Sequence, residues 1–326
     1  MTRTTRHSRQ SIGRRLRFHQ LLIFEKVVEA GSILAASREL AMTQPAVSKA
    51  VHEIEAQLGG ALFVRGKYGV TLTDFGSLFE RHAKSMLAEL RYLAEDLNAS
   101  QTGVTGHVIV GTLIAASATL LPQAITRLRQ AAPDIAVTVR VGPNSALFPA
   151  LARGELDVVV GALPETSSAG LREDDRARLT HVSLYDEALR AVVGVQHSLA
   201  RRRKIHAADL QEQEWIVPTS DSVAYGAVRH FFEQQELPLP RQPVESISIL
   251  TNLELLRSGP MVALMPQSAA MRFAKSGLLA VLPMEGLGSF GGVGYTTRSD
   301  REATPATRRF IAAIEEAAEA LSHQRK

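Results

Sequence analysis

Residues 43–59 read TQPAVSKAVHEIEAQLG and predict one helix with two unlike faces. One face is apolar, because its hydrophobic residues recur at spacings of four, three and four residues. These residues are Val47, Val51, Ile54 and Leu58. The other face carries hydrogen-bonding side chains over the first turns, and they are Gln44, Ser48, Lys49 and His52. The apolar face belongs to a core, whereas the polar face needs a partner outside it.

The preceding residues predict two more helices and a tight turn. FHQLLIFEKVVEAG (Phe18–Gly31) has one apolar face and ends at Gly31, a typical C-cap residue. Ser32 is placed to cap a short second helix, and Thr43 to cap the third, with Pro45 in its first turn. Two short helices joined by a tight turn, the second with polar residues at its start, form a helix-turn-helix. In such a motif the polar side chains enter a major groove of DNA.

A β-hairpin is predicted directly after the quoted helix. ALFVRGKYGVTLT (Ala61–Thr73) contains two short β-prone runs around Gly66–Gly69. Arg65 and Lys67 lie near the tip, where they would meet phosphates or the minor groove. The hairpin therefore predicts a wing beside the helix-turn-helix.

Charge is distributed unevenly along the 326 residues. Residues 1–72 hold eleven Lys or Arg against five acids, a net charge of +6, whereas the remaining residues carry −2. Six arginines precede residue 20 with no acid among them. Residues 1–15 are therefore predicted to be a disordered basic arm, which either touches phosphates or is a solvated tail.

Residues 74–103 predict a long helix, because no Pro occurs there and no Gly lies between Gly76 and Gly103. Its apolar residues follow a repeat of 3.5, which is typical of a coiled coil. They are Phe79, Ala83, Met86, Leu90, Leu93 and Leu97. We expect this stripe to join two subunits; the alternative is that it packs on its own domain.

Residues 104–326 alternate strand-like and helix-like segments, which predicts an α/β domain with parallel strands. Its length favours two lobes, with a ligand in the cleft at the strand ends. The residues predicted to face that cleft from the first lobe are Leu113, Ile114, Ala115, Ala116, Ser117, Asn144, Ser145 and Gly161. Those from the second are Thr219, Ser220, Ser222 and Ser248. Each Ser or Thr could instead be an ordinary helix cap.

Several functional classes lack support in the sequence. There is no cysteine, the histidines lack metal-ligand spacing, and no G-x-S-x-G motif occurs, so we expect no metal, no cofactor and no catalysis. No stretch reaches the about 18 uninterrupted apolar residues of a membrane helix, and no secretory leader is evident, which predicts a soluble cytoplasmic protein without a membrane partner. RRRK at residues 201–204 is read as a solvated loop, and GGVG at residues 291–294 as tight packing or a turn.

FEKVVEAGSILAASRELAMTQPAVSKAVHEIEAQLGGALFVRGKYGVTLTDFG (Phe24–Gly76) resembles the winged helix-turn-helix of LysR-type transcriptional regulators. The matching motifs include AGS, TQPAVSK, E..LG..LF.R and LT..G. Residue by residue, the resemblance implies that Gln44, Pro45, Ser48 and Lys49 face the groove and that Arg65 anchors the wing. Lys49 stands where many members have Arg. The full set predicted to contact DNA is Ser32, Thr43, Gln44, Pro45, Ser48, Lys49, His52, Arg65 and Lys67.

The resemblance also implies the rest of the architecture. It predicts a winged domain (16–73), a dimerisation helix (74–103) and a periplasmic-binding-protein-like effector domain (104–326). Its first lobe would span 106–181 and 281–326, and its second lobe 182–280. LFERHAKSMLAELRYLAEDLNA (78–99) and GELDVVVGALPE (154–165) resemble regulators of sugar uptake of the galactose-binding-protein type and regulators of the protocatechuate pathway.

The sequence thus predicts a bacterial, homodimeric or homotetrameric regulator of promoter DNA. Its effector would be a sugar or a carboxylate, and RNA polymerase is an implied partner. Control of sugar uptake is the leading hypothesis, and control of aromatic-acid catabolism is the alternative. From other classes, a binding or transport protein without a regulatory role and a purely architectural DNA protein remain open.

Overall fold

The computed structural model describes residues 8–67, 69–102, 105–112, 116, 118–163, 173–220, 223–284 and 287–323. The chain forms two compact units. The first comprises Met1–Ala94 with Arg153–Glu155, and the second comprises Glu95–Ala152 with Leu156–Lys326. Within the described ranges, no helix combines the length and apolar composition of a membrane span.

The first unit is a winged helix-turn-helix. Its helices are α1 (Arg9–Arg15), α2 (Phe18–Ala30), α3 (Ile33–Glu39), α4 (Gln44–Leu58) and the start of α5 (Asp74–Thr102). Two antiparallel strands, β1 (Phe63–Gly66) and β2 (Gly69–Leu72), form the wing. The predicted apolar face of α4 is buried in the core of this unit. Phe24 lies in that core, and its ring centroid is 5.3 Å from the ring centroid of Phe63 and 4.8 Å from that of Phe79. Phe24 therefore packs against both the wing and α5.

Side-chain and backbone contacts fix the wing. The Glu55 carboxylate accepts hydrogen bonds from the backbone N–H of Leu62 at 2.8 Å and of Phe63 at 3.3 Å. At the other strand, the N–H of Val70 donates to the Gly31 carbonyl at 2.8 Å. Gly69 has a φ of +144°, and a Cβ there would overlap the same carbonyl oxygen, so this position requires glycine.

The basic arm differs from its prediction. Arg9–Arg15 form helix α1, so the prediction of disorder over 1–15 is wrong for this part, while residues 1–7 lie outside the described ranges. The physical reason is local: the backbone of Leu16 donates to the Ile12 carbonyl at 2.9 Å, and the Leu16 side chain packs on the core of the first unit. Helix α1 also contacts α4. The packing of Leu16 and this contact hold α1 on the first unit.

Helix α5 corrects part of the predicted dimer seam. Phe79 is 9% exposed and Ala83 is 1% exposed, and both belong to the core of the first unit, with Met86 packed beside them. Phe79 and Ala83 are therefore unavailable to a partner subunit, and Met86 is partly buried. Further along the same helix face, Leu93 is 55% exposed and Leu97 is 54% exposed. The apolar stripe is thus buried over its first part and exposed at Leu93 and Leu97.

A charged contact also fixes the beginning of α5. The Lys84 amine lies 3.0 Å from the Glu80 carboxylate and 3.3 Å from that of Glu155, which belongs to the same unit. Burial opposes the charge on this amine, but the two carboxylates outweigh it and raise the pKa of Lys84. The lysine is therefore cationic at neutral pH and holds α5 in place.

The second unit is an α/β domain. Its strands are β3 (Gly106–Thr112), β4 (Ile135–Val141), β5 (Val158–Ala162), β6 (Leu179–Gly194), β7 (Glu214–Val217), β8 (Val244–Glu245), β9 (Met261–Pro266), β10 (Leu279–Val281) and β11 (Ser289–Arg298). Its helices are α6 (Leu120–Ala131), α7 (Asn144–Ala152), α8 (Glu173–Arg176), α9 (Ala207–Gln211), α10 (Val223–Gln234), α11 (Ile249–Ser258), α12 (Gln267–Lys275) and α13 (Pro305–His323), with a 3-10 helix at Ser198–Arg201.

The strands form one mixed sheet in the order β4-β3-β5-β11-β6-β9-β7-β8, with β10 also paired to β6. Strand β3 is parallel to β4 and β5, and β7 is parallel to β8 and β9, as the alternation of strands and helices predicts. Side chains alternate between the faces, so that Val108 and Ile109 enter different hydrophobic clusters. The second half of the sheet repeats this pattern at Trp215 and Ile216.

These two halves are the predicted lobes, but their boundaries differ from the prediction. Strand β6 pairs with β11 as far as Ala188 and with β9 from Leu189, so the chain leaves the first lobe later than residue 181. On the return, β10 still pairs with β6, and Leu282 and Leu287 still belong to the second-lobe core. The second crossing therefore comes after residue 281, at the start of β11. The architecture of a winged domain, a long helix and a two-lobed α/β domain is confirmed.

The glycine-rich run in β11 is tightly packed, as predicted. A Cβ at Gly294 would overlap the Val182 carbonyl oxygen on β6, and the strand register shifts between Val293 and Gly294. The run is therefore a β-bulge between the crossing strands.

Candidate nucleic-acid interface and effector site

Helix α4 begins at an exposed corner of the first unit. Thr43 caps it by accepting a hydrogen bond from the N–H of Ala46 at 3.4 Å. Gln44 and Pro45 are exposed, and Ser48 one turn later is half-buried. Lys49 keeps 79% of its side chain exposed, with its amine 4.0 Å from the Glu53 carboxylate. The polar face predicted from the sequence is thus present on the surface.

The wing contacts this polar face through Arg65. One guanidinium nitrogen of Arg65 lies 3.4 Å from the Ser48 hydroxyl and 3.3 Å from Nε2 of His52. The same guanidinium nitrogen lies 3.4 Å from Nδ1 of His52, and this Nδ1 lies 2.7 Å from the Ser48 carbonyl. Three predicted DNA-binding residues from two elements therefore form one hydrogen-bonded cluster, which we name the Arg65 cluster.

The other predicted DNA-binding residues lie around this cluster. Lys67 is exposed at a turn position directly after β1. Ser32 caps α3 by accepting from the N–H of Ala35 at 3.4 Å, so its hydroxyl already has a structural role. Glu55, which holds the wing, is absent from the predicted set. Its signal was the first letter of the E..LG..LF.R motif.

In the first lobe, strand register aligns the carboxyl ends of three parallel strands. Thr112, the last residue of β3, pairs with Val141 on β4 and with Val160 on β5. The segments that follow these strands therefore share the carboxyl edge of the sheet. Leu113, Ile114, Ala115 and Ser117 lie outside the described residues.

The described first-lobe residues differ in their availability. Ala116 is 2% exposed and packs in the core, so its side chain does not line the cleft. Ser145 is exposed, and Gly161 is buried within β5. Asn144, the first residue of α7, has a buried Oδ1 with no hydrogen-bond partner within the described ranges. An amide oxygen left in this state is a candidate acceptor for a ligand hydroxyl or amine.

In the second lobe, the predicted residues also follow neighbouring parallel strands. Thr219 is half-buried and Ser220 is exposed after β7, while Ser222 lies outside the described residues. Ser246, after β8, donates from its backbone to the Val217 carbonyl at 2.9 Å. Ser248 caps α11 by accepting from the N–H of Thr251 at 3.3 Å, which is the structural alternative that the sequence left open.

A hydrogen-bonded chain joins the two lobes where these edges meet. Thr119, before α6, donates its hydroxyl to the Ser268 hydroxyl at 3.2 Å, and the backbone N–H of Ser268 donates to Glu187 at 2.9 Å. Glu187 is only 2% exposed and lies on β6, just before this strand changes its pairing partner. We name these three residues the interlobe chain. The sequence analysis missed it, because its members are far apart in the chain.

The interlobe chain determines the charge at the start of α12. Glu187 places a carboxylate at the start of α12, where the helix dipole would otherwise attract an anion. The Arg190 guanidinium also lies here and donates to the Gln267 side chain at 3.0 Å. The described part of the chain contains no group of three or more His, Asp or Glu that could hold a metal ion.

Comparisons with known proteins agree with this architecture. The family model described as bacterial regulatory helix-turn-helix protein, lysR family, matches residues 18–77. The model described as LysR substrate binding domain matches residues 101–319. In solved structures, CbnR, a LysR family transcriptional regulator, is similar with a TM-score of 0.69 at 20% identity, over 93% of this chain and 99% of that one.

Two curated relatives are similar over most of their length. HTH-type transcriptional regulator GbpR of Azospirillum brasilense is 29% identical over 306 residues, covering 94% of this chain and 87% of the relative. HTH-type transcriptional regulator PcaQ of Agrobacterium fabrum is 28% identical over 307 residues, covering 94% and 96%. They represent the two subgroups that the linker and first-lobe segments resemble. This chain belongs to the LysR family of DNA-binding transcriptional regulators, with a helix-turn-helix domain followed by a LysR substrate-binding domain.

Proposed function

We propose that the protein reads an operator by placing α4 in the major groove and the wing on the adjacent backbone. The observation that carries this proposal is the Arg65 cluster, because it joins the wing cation to the polar face of α4 in one exposed surface. Gln44 and Ser48 would read base edges, whereas Lys49, Arg65 and Lys67 would contact phosphates. CbnR, whose fold is similar with a TM-score of 0.68, has been solved with its target DNA.

We propose a homodimer as the smallest DNA-binding form, with a homotetramer as its assembly. Leu93 and Leu97 support this proposal, because two exposed leucines on one face of a long helix need an apolar partner. A dimer would present two copies of α4 to two half-sites. RNA polymerase is the proposed partner at the promoter, and the bacterial cytoplasm is the proposed location. We assign no chemical reaction to the chain.

We further propose that a small polar molecule binds between the lobes and changes the activity of the regulator. Asn144 supports a ligand rich in hydroxyls, because its buried Oδ1 is an acceptor that no described group satisfies. Glu187 at the start of α12 makes that helix end less attractive to an anion. A sugar is therefore the first candidate. An aromatic carboxylate is the second, favoured by the apolar sequence TLIAAS at 112–117 and by Arg190.

Thermal unfolding of the full chain tests the effector proposal. We expect one monosaccharide in a panel of sugars, aromatic carboxylates and dicarboxylates to raise the melting temperature. A ligand at 100 times its dissociation constant adds about 2.7 kcal/mol, which raises the melting temperature by roughly 5–11 °C for a domain of this size. Asn144→Ala should melt at the same temperature without ligand and lose the shift.

The matched control is Ser276→Ala, at the end of α12 and outside the proposed site, which should keep the full shift. A shift with aromatic carboxylates alone would replace the sugar by the second candidate. A ligand shift that Asn144→Ala leaves unchanged would contradict the proposed site. If no compound in the panel shifted the melting temperature, the proposals of a sugar and of an aromatic carboxylate would both be contradicted. The DNA-binding proposal would be unaffected.

A further inference from the structure

We propose that the end of α1 and the residues just after it form a second DNA-contacting surface. Arg14, Arg15 and Arg17 of this surface would contact the phosphate backbone. We name these three residues the N-terminal arginines. The inference rests on the proposed DNA binding and extends it beyond the helix-turn-helix. The expected partner is duplex DNA, because three cations without a neighbouring acid match a run of phosphates.

The first argument is position. The shared helix-turn-helix domain begins at residue 18, so α1 is an addition in front of it. The addition is attached to the domain, because Leu16 packs on the core and α1 contacts α4. Arg17 directly precedes α2, and the backbone N–H of Arg17 donates a hydrogen bond to the Gln20 side chain in that helix at 3.1 Å. The arginines are therefore held on the domain that carries the Arg65 cluster.

The second argument is charge. All three N-terminal arginines are exposed, and within the described ranges none of them forms an ion pair. Some exposed cations of the second unit do have acidic neighbours: Arg202 contacts Asp209 at 2.8 Å, and Arg257 contacts Glu254 at 2.8 Å. Three unpaired cations within four residues repel one another and gain most from a polyanion.

The salt dependence of DNA binding tests this inference. In the full-length protein, Arg14→Gln, Arg15→Gln and Arg17→Gln together are expected to weaken binding to operator and to random duplex alike. Each lost phosphate contact lowers the slope of log K against log salt by about 0.9, so three contacts lower it by about 2.7. The ratio of wild-type to variant affinity for DNA should then fall about 40-fold as the salt concentration rises from about 50 to 200 mM.

The matched control removes the same charge from the second unit. Arg201→Gln, Arg203→Gln and Lys204→Gln should leave the slope at the wild-type value. Arg14→Lys, Arg15→Lys and Arg17→Lys should restore most of the slope, which excludes a loss of folding as the cause. Equal slopes for wild type and the first variant would overturn the inference. So would equal losses for the two glutamine variants, since that result reports net charge alone.

The same titrations separate this inference from the proposed function. A wild-type protein that binds no duplex would overturn the DNA-binding proposal itself. A wild type that binds its operator with a slope unaffected by the N-terminal arginines would overturn only the present inference.

Discussion

Leu93→Asp with Leu97→Asp is expected to convert the full-length protein into monomers and to reduce operator affinity by at least about 10³-fold. Full burial of one leucine contributes about 1.5–3 kcal/mol, and Leu93 and Leu97 are 55% and 54% exposed, so burying the remainder of four leucines in a symmetric dimer contributes about 3–6 kcal/mol. Aspartates in their place would add like-charge repulsion across the seam. Monomers would present a single α4 and lose the joint binding to two half-sites. Sedimentation equilibrium gives the mass, and operator titration gives the affinity.

The choice of residues follows from the structure of α5. Phe79 and Ala83 are buried in the first unit, so replacing them would unfold the winged domain and would not report on association. Leu250→Asp is the control, because Leu250 is 80% exposed on α11 and receives the same chemical change. This control should sediment as the wild type. A Leu93→Asp, Leu97→Asp variant that also sediments as the wild type would contradict the proposed seam.

Gln44→Ala with Ser48→Ala is expected to abolish operator preference while leaving the oligomer intact. A good base contact supplies about 1–3 kcal/mol of discrimination, and a dimer carries four such contacts here. Even the lower value gives about 4 kcal/mol, or about 10³-fold in the ratio of operator to random-duplex affinity. Affinity for random duplex should change little, because His52 still holds Arg65 near the backbone.

Arg65→Ala is the contrasting variant for this experiment. It should weaken operator and random duplex by the same factor, because it removes a phosphate contact, and lower the salt slope by about 0.9. Both variants are measured on the same pair of duplexes over the same series of salt concentrations. If the double alanine variant kept the wild-type ratio, Gln44 and Ser48 would not read bases.

Periodic sequence patterns predicted most of the fold. Helices α2, α3, α4 and α5 and the strands with continuous apolar runs were all visible as local patterns. The first half of β6 was not visible in this way. Its sequence, LTHVSLYDEA, contains few apolar residues, and much of this segment is exposed or only partly buried. Helix α1 was hidden because Ile12 and Leu16 stand in an otherwise polar, basic stretch.

The long helix shows a different limit. A stripe that packs on its own domain and a stripe that pairs two subunits have the same period, so sequence alone could not divide the seam at about Met86. Contacts that need two distant segments were equally invisible. Arg65, Ser48 and His52 were predicted one by one, but their hydrogen bonds depend on how closely the wing approaches α4. Thr119, Ser268 and Glu187 lie far apart in the chain, so their hydrogen bonds depend on how the two lobes pack together.

Selection of binding sites from a pool of random duplexes by the full-length protein tests the central claim most directly. The account predicts enrichment of an inverted repeat whose half-sites lie about 10–10.5 base pairs apart, or a multiple of that spacing, since a dimer presents two copies of α4 to one face of DNA. A pool that stays random in sequence after repeated rounds, even though it is retained at low salt, would contradict sequence-specific recognition by this surface.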